Sequence, residues 1–145
     1  SSRPVRGSQL SKMQPGLVNM ATVLIIDDND DVRNYLTRLV ALFGYTPFCA
    51  ATCEEARKLL VQEDPRMDVV VSDIYLPDGP EDAADWIREV KQKAMSRPLI
   101  VISGEAPDAM VEEFSASGDI MATLTKPFEL VFLKDLLKRA VEESA

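Results

Sequence analysis

The feature that most constrains the fold is a regular alternation of short apolar runs with longer amphipathic stretches, which starts at Ala21. The runs are rich in Val, Ile and Leu, which is typical of parallel strands buried on both faces. In the first amphipathic stretch, one helical face carries Val32, Tyr35, Leu36, Leu39, Val40 and Phe43. Five such strand–helix units predict a parallel sheet covered by helices on both sides. The expected strands are residues 22–26, 45–50, 67–72, 99–102 and 120–125. Thr52-x-x-Glu55 predicts a capping box that opens the second helix, and the inner face of the third helix is expected to carry Ala83, Trp86, Ile87 and Val90.

Four of these strands are followed by a side chain that can bind or react. Asp27 and Asp28 follow the first strand, Asp73 the third, Ser103 the fourth and Lys126 the fifth. Ligands of open α/β sheets bind just beyond the carboxyl ends of the strands, so these side chains should meet at one edge. Carboxylates at close range repel one another, and a cation that prefers oxygen ligands relieves this. We therefore expect a Mg²⁺ site there.

The same edge offers groups for phosphoryl chemistry. A carboxylate placed like Asp73, before a loop that contains Gly and Pro, can act as a nucleophile and form an aspartyl-phosphate. Lys126 supplies an ammonium group and Ser103 a hydroxyl for phosphate oxygens. Each residue alone also fits a structural role, such as a helix N-cap or a turn. Their joint placement at separate strand ends favours the functional interpretation.

Composition and charge narrow the class of protein. A length of 145 residues and a hydrophobic content of 46% suit one globular domain. The net charge of −8 disfavours nucleic acid as a partner, because proteins that bind nucleic acid neutralise its phosphates with cationic side chains. No apolar stretch approaches the roughly 18 residues that a membrane span needs. The chain contains no histidine, which excludes Ser–His and Cys–His nucleophile pairs and with them most hydrolase mechanisms.

The remaining features bear on location and domain limits. Cys49 and Cys53 lack the spacing of a redox pair and are expected to pack as small apolar residues, although a helix N-terminus could lower the pKa of Cys53. A reducing, cytoplasmic location fits this cysteine usage. Residues 1–20 are rich in Ser, Pro, Gly and Gln without periodicity, and no apolar block follows their basic side chains. They are predicted to be a disordered leader, natural or left from expression, before one domain at residues 21–145.

The residues at the strand ends resemble the signatures of response-regulator receiver domains, which are CheY-like. The resemblance extends over about residues 21–142 and implies the flavodoxin-like (βα)5 fold with strand order 2-1-3-4-5. The matching motifs are Ile25-Ile-Asp-Asp28, Val71-Ser-Asp-Ile74 with Leu76-Pro-Asp-Gly79, Val101-Ile-Ser-Gly104 and Thr125-Lys-Pro-Phe128.

This resemblance implies a role for each site residue. Asp73 takes a phosphoryl group from a phosphohistidine on a sensor histidine kinase or a histidine phosphotransfer protein. Asp27, Asp28, Asp73 and the backbone carbonyl of Tyr75 hold Mg²⁺. Ser103 and Lys126 bind the phosphoryl oxygens, and the Lys126–Pro127 bond is cis. Such a domain is not an enzyme beyond its own phosphotransfer and dephosphorylation.

One departure concerns how the signal leaves the site. The family usually has an aromatic residue three positions before the lysine, where this chain has Thr123. The expected partner surface is still the fourth helix, fifth strand and fifth helix, with a homodimer as one use of it. Val131 and Phe132 cannot both face the core on one helix with Leu130, Leu133 and Leu137, so at least one of them should be exposed.

Two other functions stay open at this point. A haloacid-dehalogenase-like phosphatase also uses an aspartate nucleophile, and Asp28-Asn-Asp30 imitates its D-x-D motif. Against it, no acidic pair follows Lys126 and the chain has no room for a cap insertion. The third possibility is an interaction module that has kept the fold without being phosphorylated, which the Thr123 departure keeps open.

Overall fold

A computed structural model describes residues 21–104 and 109–144 of the chain. The proposed leader at residues 1–20 and Pro107, the expected start of the fourth helix, lie outside these ranges. Strands and helices alternate throughout the described residues. In chain order they are β1 Thr22–Ile26, α1 Asp30–Leu42, β2 Thr46–Ala50, α2 Cys53–Leu60, β3 Val69–Asp73, α3 Ala83–Lys93, β4 Leu99–Ser103, α4 Ala109–Ser117, β5 Ala122–Thr125 and α5 Leu130–Ser144.

The strands form one parallel sheet in the order β2-β1-β3-β4-β5, which confirms the predicted flavodoxin-like topology. The fifth strand is shorter than expected because Ile120, its expected first residue, is still hydrogen-bonded to the end of α4. The Ile120 amide donates to the Phe114 carbonyl of α4 at 3.1 Å, and regular pairing begins two residues later with Ala122 opposite Ile100.

Each face of the sheet has its own apolar core. Residues of α1 and α5 pack against one face, and residues of α2, α3 and α4 pack against the other. The predicted inner face of α3 is confirmed, since Ala83, Trp86, Ile87 and Val90 are all buried. Tyr35 was expected on the inner face of α1, but its side chain is 45% exposed. The buried stripe of that helix is Leu36, Leu39 and Val40, and Tyr35 lies outside it.

Local signals set the start of α2. The Thr52 hydroxyl accepts a hydrogen bond from the Glu55 amide at 3.0 Å, and the Glu55 carboxylate accepts one from the Ala51 amide at 2.7 Å, close to the expected capping box. Cys53 is buried as predicted, whereas Cys49 is exposed, contrary to the prediction. Among the described residues, no helix is both long and apolar enough to cross a membrane.

Candidate functional site

Three carboxylates meet at the carboxyl edge of the sheet. β1 and β3 are neighbours, with Ile26 opposite Ser72, so the residues that follow, Asp27 and Asp73, lie level with each other. One oxygen from each of Asp27, Asp28 and Asp73 lies within 4.8 Å of the others. The strand order therefore brings together the acidic side chains that the sequence analysis selected.

Asp27 is the most buried of the three, with 0% of its surface exposed. Its Oδ1 accepts a hydrogen bond from the Asn29 amide at 2.9 Å, while its Oδ2 is buried without a hydrogen-bond partner among the described residues. Burial raises the pKa of Asp27, and the negative charges of Asp73 and Asp28 raise it further. A buried carboxylate oxygen with no donor is costly unless a cation or a proton neutralises it.

Arg33 of α1 holds the backbone of Asp27, a contact that the sequence analysis missed. Its Nη1 donates to the Asp27 carbonyl oxygen at 2.8 Å, and its Nη2 pairs with the Asp30 carboxylate. The sequence signal is the Asp30–Arg33 spacing, which only predicts a helix-surface ion pair. The bond to the Asp27 carbonyl depends on the angle at which the chain passes from β1 into α1, which the spacing of the two residues does not specify.

Asp73 is half-buried at the end of β3. Its Oδ1 accepts a hydrogen bond from the Tyr75 amide at 3.0 Å, and the Tyr75 side chain is 65% exposed. Burial raises the pKa of Asp73, with a further rise from the Asp28 charge, while the Tyr75 amide and the Lys126 ammonium act in the opposite direction. Lys126 also opposes the larger effect of burial on the pKa of Asp27, so the ammonium acts on both carboxylates.

Ser103 and Lys126 come together at the neighbouring strand ends. Ser103 is opposite Thr125 in the β4–β5 pairing, and the Lys126 amide donates to the Ser103 carbonyl oxygen at 3.1 Å. The Lys126–Pro127 peptide bond is cis, as predicted. The carboxyl edge thus carries three carboxylates, a hydroxyl and an ammonium.

The loop after Asp73 is tied to α2. The two Asp78 carboxylate oxygens accept hydrogen bonds from the Cys53 amide at 2.8 Å and the Glu54 amide at 3.1 Å, and these bonds lower the pKa of Asp78. Burial, and then the charge of Asp78, raise the pKa of the Cys53 thiol to about 12. The possibility of a reactive, low-pKa thiol at Cys53 was therefore wrong, because a carboxylate already occupies this helix end.

The fold and the acidic group at its carboxyl edge are those of a CheY-like receiver domain, and comparisons with known proteins agree. The family model described as "Response regulator receiver domain" matches residues 23–138. The chain belongs to this family, whose members act in two-component signal transduction.

Relatives with curated descriptions are longer than this chain. The sensor kinase CckA of Brucella abortus is 33% identical over 129 residues, which are 88% of this chain and 13% of that protein. The transcriptional regulatory protein YxdJ of Bacillus subtilis is 30% identical, over 87% of this chain and 54% of that protein.

Solved receiver domains match over all or nearly all of their length. The beryllofluoride-activated NtrC4 receiver domain dimer is 28% identical with a TM-score of 0.73, over 87% of this chain and 100% of that chain. A CheY-like receiver domain protein from Methanospirillum hungatei has a TM-score of 0.75 at 21% identity, over 87% of this chain and 97% of that one.

Proposed function

We propose that Asp73 of this receiver domain accepts a phosphoryl group from a phosphohistidine of a sensor histidine kinase or a histidine phosphotransfer protein. The observation that carries the proposal is that one carboxylate oxygen from each of Asp27, Asp28 and Asp73 lies within 4.8 Å of the others. The Lys126 ammonium supports it, because its charge acts on the pKa of both Asp27 and Asp73. Of the three carboxylates, Asp73 is the one that ends β3 and precedes a loop that Asp78 ties to the start of α2.

In the proposed transfer, a carboxylate oxygen of Asp73 forms a bond to phosphorus as the phosphorus–nitrogen bond of the donor breaks. The imidazole leaves with the electron pair of that bond and takes a proton from water. The product is an acyl phosphate, which water later hydrolyses back to the carboxylate and inorganic phosphate. No catalytic activity beyond these two steps is proposed.

Mg²⁺ is the proposed cofactor, held by Asp27, Asp28, Asp73 and the backbone carbonyl of Tyr75. The unpartnered Oδ2 of Asp27 and the oxygen-only ligands support a hard cation at this place. When bound, Mg²⁺ supplies positive charge that neutralises the carboxylates and an incoming phosphoryl oxygen. Ser103 and Lys126 are proposed to bind the other phosphoryl oxygens, which the pairing of β4 with β5 supports.

Labelling with a small phosphodonor tests the acceptor. Acetyl phosphate with Mg²⁺ should phosphorylate the wild type, and Asp73→Asn should abolish the labelling. Asp31→Asn is the matched control, because Asp31 is an exposed carboxylate in the first turn of α1 and should leave labelling unchanged. Labelling that persists in Asp73→Asn would contradict the proposal, and labelling found at Asp28 would favour the phosphatase alternative.

The proposed partner surface comprises α4, β5 and α5, and one use of it is a homodimer. The α5 patch, defined as Leu130, Val131 and Phe132, is exposed by 44%, 67% and 46%. An exposed apolar cluster of this kind is typical of a docking surface. Beside it lies a groove of about 360 Å³ whose lining residues are Thr123, Thr125, Pro127, Phe128, Glu129 and Phe132. We propose that this domain makes no direct contact with nucleic acid or membrane. Its proposed location is the cytoplasm.

A further inference from the structure

A buried serine interrupts the apolar core next to the proposed phosphoacceptor. Val69, Val70 and Val71 of β3 are almost completely buried, and Ser72 after them is also only 1% exposed. A buried hydroxyl needs hydrogen-bond partners to offset its lost hydration. Ser72 has two: its hydroxyl donates to the Asp73 carbonyl oxygen at 2.6 Å, and its oxygen accepts from the Trp86 indole Nε1 at 3.2 Å.

The chemistry of the indole fixes the direction of this chain of bonds. An indole N–H is a donor only, so the Ser72 oxygen must act as the acceptor towards Trp86. The single hydroxyl proton of Ser72 is then directed to the Asp73 carbonyl. Without the indole, the hydroxyl could rotate away from that carbonyl. Trp86 therefore holds the backbone of Asp73 through one intermediate side chain.

Trp86 is itself held in place by α2. It is the only tryptophan of the chain, is 1% exposed, and lies on the inner face of α3. The Arg57 guanidinium of α2 lies 5.4 Å from the centre of its ring. Arg57 also binds the Glu89 carboxylate of α3 through Nε at 2.6 Å and Nη2 at 3.1 Å. Arg57 thus contacts the indole from α2 and is itself held in position by Glu89 of α3.

We propose that Ser72 and Trp86 are positioning residues for Asp73. Together they fix the backbone from which the phosphoacceptor carboxylate projects, and they link the site to the α2–α3 side of the domain. This inference rests on the proposed function, because it assumes that Asp73 is the group phosphorylated. Neither residue is expected to touch the phosphoryl group.

A double-mutant cycle tests the pair. Trp86→Phe keeps an aromatic ring but removes the N–H, and Ser72→Ala removes the hydroxyl. Each single change should slow phosphorylation by acetyl phosphate about fivefold, the effect of losing one buried hydrogen bond. Because both remove the same chain of bonds, the double variant should be no slower than either single one. Effects that multiply in the double variant would overturn the proposal.

A control variant separates positioning from general stability. Ile87→Val shortens the side chain next to Trp86 on the same buried face without touching Ser72. It should lower the melting temperature but leave the phosphorylation rate unchanged. If the rate instead falls in step with the melting temperature in Ile87→Val, Trp86→Phe and Ser72→Ala alike, the two residues are merely structural.

Tryptophan fluorescence gives a second, spectroscopic readout. With a single tryptophan, the emission reports on Trp86 alone. Beryllofluoride with Mg²⁺ should change the emission of the wild type, and Ser72→Ala should largely lose that change while still binding beryllofluoride. An equal change in Ser72→Ala, or none in the wild type, would overturn the link.

The proposed function and the positioning role are contradicted by different results. If Asp73→Asn abolishes labelling but the Ser72–Trp86 effects multiply, only the positioning role is wrong. If the wild type accepts no phosphoryl group, the proposed function is wrong and the positioning role falls with it.

Discussion

At the residue scale, burial of the Asp27 carboxylate at the carboxyl edge of the sheet lowers the stability of the metal-free protein. Its carboxylate is fully buried, one oxygen has no donor among the described residues, and two further carboxylates lie nearby. These conditions destabilise the ionised side chain in the folded state. The proposed Mg²⁺ would offset this cost, since it would neutralise the carboxylates.

Asp27→Asn should therefore stabilise the metal-free protein, by about 1–3 kcal/mol, the range that water-like to protein-like screening gives for like charges at this separation. The amide oxygen of asparagine can still accept the Asn29 hydrogen bond. Urea unfolding in EDTA measures the difference, with Asp31→Asn as the control. An Asp27→Asn protein that is no more stable than the wild type in EDTA would contradict this account of the cluster.

The same residue sets a pH dependence with a definite sign. The pKa of Asp27 is raised in the folded state, so the folded protein binds more protons than the unfolded chain between the ordinary and the raised pKa. The contribution of Asp27 to the stability of the metal-free protein should consequently fall as the pH rises through that window. Measured at pH 4 to 7 in EDTA, the advantage of Asp27→Asn should shrink towards the acidic end. A constant advantage across this range would contradict the raised pKa.

The sequence revealed the carboxylates of the site but not the residues that hold them. Asp27, Asp28 and Asp73 could be found because each directly follows an apolar run, and the carboxyl ends of parallel strands share one edge. Ser72 looks like one polar interruption, and its partner Trp86 is 14 positions away on another element. Which helix residue faces a given strand residue is decided by packing, which periodicity does not specify.

At the scale of elements, the loop after β3 and the start of α2 depend on each other. The Thr52–Glu55 capping bonds were predictable, since both partners lie within one turn. The Asp78 cap was not, because its carboxylate comes from 25 residues further along the chain. α2 thus has a local cap and a distant one, and the distant one fixes the loop beside Asp73.

Asp78→Ala should destabilise the protein by about 1 kcal/mol, the usual effect of losing a helix cap. Because hydrogen bonding lowers the pKa of Asp78 in the fold, its stabilising effect is present at neutral pH and is lost as the pH falls through that pKa. Glu81→Ala, which removes an exposed carboxylate from the same loop, is the control. Equal unfolding midpoints for the wild type and Asp78→Ala in urea at pH 7 would contradict the cap.

At the scale of the whole molecule, the acidic edge should make stability depend on Mg²⁺. A ligand that binds only the folded state stabilises it by mass action, about 1.4 kcal/mol at ten times its Kd. Millimolar Mg²⁺ should raise the melting temperature of the wild type and raise that of Asp28→Ala much less. Glu113→Ala, which removes an exposed carboxylate on α4, should respond like the wild type. Equal shifts in the wild type and Asp28→Ala would remove Asp28 from the metal site.

The global arrangement was more predictable than its surface. Strand order followed from the motifs and their resemblance to the receiver family, since the alternation of elements allows few topologies. Exposure was harder to predict, and Tyr35 and Cys49 are both more exposed than expected. Burial depends on which neighbouring element covers a residue, and amphipathic spacing alone does not contain that information.

The path from the proposed site to the partner surface starts at Ser103 and Lys126. Ser103 ends β4 and Lys126 follows β5, so a phosphoryl group bound by both would pull on β4 and on the chain that leads from β5 into α5, where the α5 patch lies. Thr123 lines the adjoining groove and leaves space that a larger side chain would fill. A shift of these elements can therefore change the groove without an aromatic residue at position 123.

Amide hydrogen exchange with and without beryllofluoride should show altered protection in α4, β5 and the first turn of α5. Phe132→Ala should weaken any phosphorylation-dependent self-association seen by sedimentation without changing the phosphorylation rate, because Phe132 is 46% exposed and lies outside the acidic cluster. Leu42→Ala, which removes a 72% exposed side chain from α1, should have no such effect. Unchanged exchange across residues 109–140 would mean that the signal leaves the domain elsewhere, with the α2–α3 side joined to Asp73 through Ser72 and Trp86 as the next surface to test.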